Sequence, residues 1–338
     1  TDFKCACKNL VENEKKIREF ANNPTRDTDG VLLEIPVVIH VIHIGEAIGV
    51  GTNISMTQVN SAIENLNNRY RNLHGPSVDT EIEFVLAQRD PDGNATTGVV
   101  RIDGSGVANY STDGVDAGSG TGLGADEVAI KNLSRWSNTD YYNIWVITEI
   151  EGNNGGGGIQ GYAYYPGATP SVDGTIIMNT CFGTTGTVNS WNNQGRTLVH
   201  EIGHAFNLAH TFEGDVNGTT CPAGAGDNVA DTDPHIRAAS TCPSGTNACT
   251  GASIDEVTKN FMNYSSQTCA LEFTTGQTTR MRDALFAARP NLTTSLGGTA
   301  PAASSVVAAN CTPSTTSSNL GSAIGIWRMT LSNIDMVS

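Results

Sequence analysis

The sequence predicts an α+β fold, and three observations carry that reading. Runs of β-branched and aromatic residues recur between positions 31 and 180. Tracts with apolar residues at helical spacing lie before, among and after them. Between residues 211 and 272 neither period holds, and four of the eight cysteines fall there. A chain of 338 residues is long enough for one large domain or two modest ones, each with a core of its own.

Residues 1–30 are polar and charged, with a short helical tract from Leu10 to Phe20, and read as an appendage. At Val31 the texture changes: "VLLEIPVVIHVIHI" has the length and branching of a buried strand. "SMTQVNSAIENLNNRYRNL" opens on a Ser55 cap and repeats Val59, Ile63 and Leu66, the signature of a long amphipathic helix that packs on the sheet. Further strands are expected in "IEFVLAQRD", "YNIWVITEI", "IQGYAYYP" and "GTIIMNT", separated by Gly- and Asn-rich loops. A second helix carries histidines, and "GQTTRMRDALFAAR" closes the domain. The expected division is a segment 1–30, a domain 31–295 split at residue 210, and a Ser/Thr-rich linker 296–318. Residues 319–338 would begin a further, incomplete module.

Composition excludes several function classes. Asp and Glu number 34 against 19 Lys and Arg, a net charge of -15, which repels nucleic acid and anionic membranes. No run of eighteen apolar residues appears, so no membrane span is expected. An even cysteine count, without any C-x-x-C pair, points to an oxidising extracellular setting, in which case residue 1 follows a removed leader.

The chemistry concentrates in "TLVHEIGHAFNLAHTF", residues 197–212. His200 and His204 are four apart, so on a helix both imidazoles leave one face and can share an ion. Glu201, beside the first of them, can reach a water on that ion and act as general base. His210 lies six residues beyond His204, so the helix must stop and the chain turn back between them. Asn207 stands where the commonest form of the pattern has glycine. Asparagine is the next most tolerant residue of the left-handed backbone such a turn needs, at a cost of about 1 kcal/mol.

These residues, followed by "NFMNYSSQTCALEFTTGQ" and preceded by "IPVVIHVIH", "YNIWVITEI" and "GYAYYPGATPSVDGTIIM", resemble the metzincin metallopeptidases, and within them the pappalysin family, peptidase family M43. The resemblance covers roughly residues 34–290 and consists of separate motifs in the right order. It implies a metzincin-type zincin: a mixed, twisted five-stranded sheet with a backing helix and an active-site helix, over an irregular disulfide-stapled lower subdomain ending in a helix. It implies a secreted zinc endopeptidase acting on proteins or peptides, expected as a monomer. One catalytic zinc would be held by His200, His204 and His210, its bound water attacking the scissile carbonyl with Glu201 as general base and acid. Met262 would form the Met-turn floor, and Tyr264 would steady the oxyanion.

The resemblance extends to structural calcium, one or two ions, with Gly226, Asp227, Val229 and Thr232 as the matching positions; a solvated acidic loop is the plain alternative. It also implies the pairings Cys221–Cys249 and Cys242–Cys269, which sequence alone does not select. Cys5 or Cys7 of an N-terminal pro-segment would cap the zinc in a latent form, or form an ordinary disulfide with Cys181 or Cys311. Relatives that cut before arginine or lysine carry an aspartate where this chain has Gln267, so basic specificity is not carried over and neutral or apolar residues are expected after the cut. The competing reading is a non-catalytic, zinc-dependent adhesion module of a larger secreted protein. Glu201 argues against it, because a purely structural site needs no base and favours a fourth protein ligand.

Overall fold

A computed structural model describes residues 7–23, 30–73, 75, 78–224 and 226–302. The expected linker and C-terminal module lie almost wholly outside them. Residues up to Pro301 form one compact unit. Its centre is β1 (Leu33–His43), whose Ile35, Val37, Val38, Ile39, Val41 and Ile42 are all fully buried. A strand flanked on both edges and covered on both faces reads as a continuous apolar run, which is why β1 shows no alternation.

The sheet runs β2 (Ile82–Leu86), β1, β4 (Tyr142–Ile147), β6 (Thr175–Met178), β5 (Gly161–Ala163). All neighbours are parallel except β5 and β6, so the sheet is mixed and its edge beyond β6 runs backward. A sixth strand, β3 (Val99–Asp103), was not anticipated. It pairs with Ile39–His43 of β1, whereas β2 pairs with Leu33–Val37. β2 and β3 therefore share one edge of β1 end to end, and the sheet stays five strands wide.

The expected helix over 55–73 is α2 (Met56–Tyr70); the Ser55 side chain accepts from the Gln58 amide, and Val59, Ile63, Leu66 and Tyr70 face the core. Preceding it, α1 (Cys7–Ala21) covers the helical tract near the N-terminus. Two short helices, α3 (Tyr110–Asp113) and α4 (Glu127–Asn132), occupy the connection from β3 to β4. The histidine helix is α5 (Arg196–Ala205), packed beside α2 and β5. Among the described residues from Phe206 to Phe273 there is one further helix, α6 (Asp255–Lys259), and no strand. Disulfides Cys221–Cys249 and Cys242–Cys269 cross-link this stretch, and the Arg237–Asp215 ion pair ties two of its loops. The closing helix is α7 (Thr275–Ala288), started by a capping box between Thr274 and Gln277. α7 supplies the seat on which α1 packs.

Candidate metal centre

Helix α5 ends in a pattern that explains the position of the third histidine. The Leu208 amide donates to Gly203 O at 2.9 Å and the Asn207 amide to His204 O at 2.9 Å, the paired bonds of a Schellman motif. Its C′ residue must be left-handed, and Asn207 has φ 78°. The asparagine thus does the work of the missing glycine, and the reversal swings His210 back toward α5.

The three imidazoles converge. Nε2 of His204 lies 3.1 Å from that of His200 and 3.1 Å from that of His210, and His210 lies 3.2 Å from His200. His200 Nδ1 donates to Phe261 O at 2.7 Å and His204 Nδ1 donates to Leu208 O at 2.7 Å. Those bonds place the protons on Nδ1, leaving both Nε2 atoms bare. Two bare nitrogens cannot hydrogen-bond each other, and at this separation their lone pairs repel. Nitrogens each about 2.0–2.1 Å from one zinc ion at tetrahedral angles lie about 3.3 Å apart, so the donor set fits that ion. Burial holds His200 down to about 4 and His204 to about 3, and holds His210 well below the usual histidine range, so all three imidazoles are neutral at physiological pH.

Glu201 is buried beside them, and loss of solvent pushes its carboxyl up to about 8. It lies against the first residue of β5: a Cβ on Gly161 would meet Glu201 Cγ at 3.3 Å. Met262 is fully buried under α5, where a Cβ on Gly203 would clash with its sulfur. Gly203 therefore lets the methionine press against the helix between the first two histidines. Gly203→Ala is expected to lower stability by about 1–3 kcal/mol through overpacking, read as a drop in the urea midpoint. An unchanged midpoint would show that Met262 yields without cost.

Tyr264 is partly exposed, its ring 4.8 Å from that of His210 and 5.8 Å from that of His200. Desolvation pushes its hydroxyl up to about 12, so it remains a proton donor. Gln267 sits at the start of α5: its Oε1 accepts from the Gln194 amide at 3.3 Å and its Nε2 donates to Thr197 at 3.4 Å. The loop of Gly226, Asp227, Val229 and Thr232 lies apart from the histidines in sequence. There Asp227 Oδ1 accepts from the Val229 amide and the Thr232 hydroxyl, while Oδ2 is buried without a partner. Cys5 lies outside the described residues, as do Cys311 and the side chain of Cys7; Cys181 is a buried free thiol.

The carbonyls of Phe261 and Leu208 and the two space-making glycines, Gly161 and Gly203, were not read from the sequence. Backbone oxygens carry no residue signal, and a glycine's need for space appears only once its neighbour is placed.

Comparisons with known proteins point to a family of metallopeptidases. The peptidase family M43 model, described as pregnancy-associated plasma protein-A, matches residues 124–286. An extracellular metalloprotease of Arthroderma otae is 35% identical over 170 residues, 49% of this chain and 58% of the relative. Another, from Sordaria macrospora, is 30% identical over 256 residues, 74% of this chain and 73% of the relative. Among solved structures, a promirolysin variant of Tannerella forsythia superposes with a TM-score of 0.66 at 29% identity, covering 85% of this chain and 91% of that one.

Proposed function

Because the chain belongs to the pappalysin family, peptidase family M43, we propose that it is a secreted zinc endopeptidase in which His200, His204 and His210 hold the metal and Glu201 moves the proton. The observation that carries this reading is the triangle of Nε2 atoms at 3.1–3.2 Å, two of them stripped of protons by carbonyl partners. A zinc ion held there by His200, His204 and His210 would supply Lewis acidity and make a neighbouring water more acidic. With a cation beside it favouring its ionised form, Glu201 would accept a proton from the attacking water and return it to the leaving amine. Tyr264, protonated and beside His200 and His210, donates to the oxyanion. Substrate lies extended along the outer edge of β5, the antiparallel rim of the sheet, adding its backbone as a further strand.

The alternative of a non-catalytic zinc module lacks support, since the curated relatives compared above are called metalloproteases. A peptide library tests both the activity and its preference. Cleavage should vanish with a zinc chelator and return with zinc, and neutral or apolar residues should follow the cut. Gln267, whose amide is held at both ends, offers no negative charge to a basic side chain. Chelator-resistant cleavage would sink the metallopeptidase reading, and a profile dominated by Arg or Lys would sink the specificity.

Calcium is proposed at Asp227, with Gly226, Val229 and Thr232 supplying further oxygens. The support is the buried, unpartnered Oδ2 of Asp227, whose carboxyl burial pushes up to about 6. Calcium should raise the melting temperature of the parent protein by several degrees but leave Asp227→Asn unaffected. An equal rise in both would place the ion elsewhere. Residues 1–30 are proposed as a pro-segment, consistent with the match to a pro-form. N-terminal sequencing after incubation should then find residue 1 replaced by one near residue 31; an unchanged terminus in active protein would overturn it.

A further inference from the structure

Helix α1 is attached to the catalytic unit by two different kinds of contact. Apolar contact comes from Ile17, which is buried, and from Phe20, whose ring stacks on Phe286 of α7 with centroids 5.9 Å apart. The polar contact is more specific. Glu14 Oε2 accepts from Asn207 Nδ2 at 3.1 Å and from Arg280 Nη2 at 3.0 Å, while Arg280 Nε donates to Asn207 O at 2.7 Å. The three residues close a ring on the turn that separates the second and third metal ligands. Beside it α1 roofs a groove of about 680 Å³ lined by Tyr165, Pro166, Asn207, Ala209 and Arg280.

We propose that Asn207 and Arg280 form a carboxylate-binding site whose resident ligand is Glu14, so that α1 is latched to the metal-bearing turn. Two guanidinium nitrogens are divided between a backbone carbonyl and a carboxylate, a geometry that fixes both at once. Glu14 and Arg280 side chains are each about three-quarters buried, at 25% and 22% exposure, so water competes weakly for the pair. Asparagine also acquires a reason to stand at a left-handed position that glycine would fill with less strain, because glycine has no side chain with which to bind Glu14. The site concerns how α1 is held and requires neither bound metal nor turnover, so it can fail while the peptidase reading stands, and the reverse.

Hydrogen exchange of the full chain, held metal-free, tests it with Glu14→Gln, Asn207→Gly and the double variant. Glutamine keeps the shape of Glu14, and glycine suits the φ of 78°, so neither change should disturb the turn itself. Each single change is expected to speed exchange of the α1 amides about five- to tenfold, with α5 and α7 unchanged. The double variant should be no faster than the faster single one, because the Glu14–Asn207 contact is the one that both changes act on. Unchanged α1 exchange, multiplying effects in the double variant, or an equal rise in α5 and α7 would each overturn the latch. A Lys15→Gln control, in the same groove but outside the ring, should behave as the parent.

Discussion

Glu201→Gln is expected to reduce kcat/KM by about a thousandfold while zinc content stays at the parent level. The glutamine amide keeps the size of the side chain in its slot against Gly161 but cannot accept a proton. Loss of a positioned general base costs about 10²–10⁴-fold, and the rate that remains comes from whatever else the site stabilises. Paired metal analysis and peptide hydrolysis decide the matter. Residual activity within tenfold of the parent would remove Glu201 from the proton path, and lost zinc with lost activity would recast it as part of the metal's support.

The metal-free protein is expected to be most stable near pH 7. Five histidines, His40, His200, His204, His210 and His235, are held below their ordinary pKa mainly by desolvation. Below pH 6.5 the unfolded chain therefore takes up protons that the folded chain refuses, and stability falls as the solution is acidified. Two buried carboxyls act in the opposite sense. Glu201, pushed up to about 8, and Asp227, pushed up to about 6, keep protons that the unfolded chain has released, so stability falls as they ionise. Between the ordinary carboxylate range and pH 6 the histidines outnumber these two, and stability rises with pH. Above about pH 7 the unfolded histidines have released most of their protons, Glu201 outweighs them, and stability declines toward pH 8. Each unbalanced proton is worth about 1.4 kcal/mol per pH unit, so the acid limb should be the steeper. Melting temperature measured with chelator across this range checks the shape; a flat profile, or one still rising at pH 8, contradicts it.

Much of the fold was legible because the buried strands declare themselves. β1, β4 and β6 are runs of branched and aromatic residues with no polar interruption that matters. β3 escaped because "VVRID" is short, partly exposed and half polar, and only its pairing with β1 makes it a strand. Expected elements also ran long at their ends: the strand over 159–166 narrows to Gly161–Ala163. At the site, the spacing of His200, His204 and Glu201 could be read directly from helix geometry, and the left-handed turn at Asn207 from the gap to His210. What could not be read were contacts between distant positions. Glu14 meets Arg280 across 266 residues, and no local pattern in either segment announces the other.

The two disulfides overlap in sequence, since 221–249 and 242–269 share residues 242–249, so that stretch belongs to both loops. The second loop encloses Phe261, whose carbonyl fixes the proton on His200, together with Met262 and Tyr264. Cutting one such cross-link returns to the unfolded chain entropy equivalent to about 3–4 kcal/mol. The thiol potential of the surroundings therefore reaches the proposed metal site. In a reducing milieu the floor of the site would slacken before the sheet did, and retention of zinc would report on the compartment in which the protein finds itself.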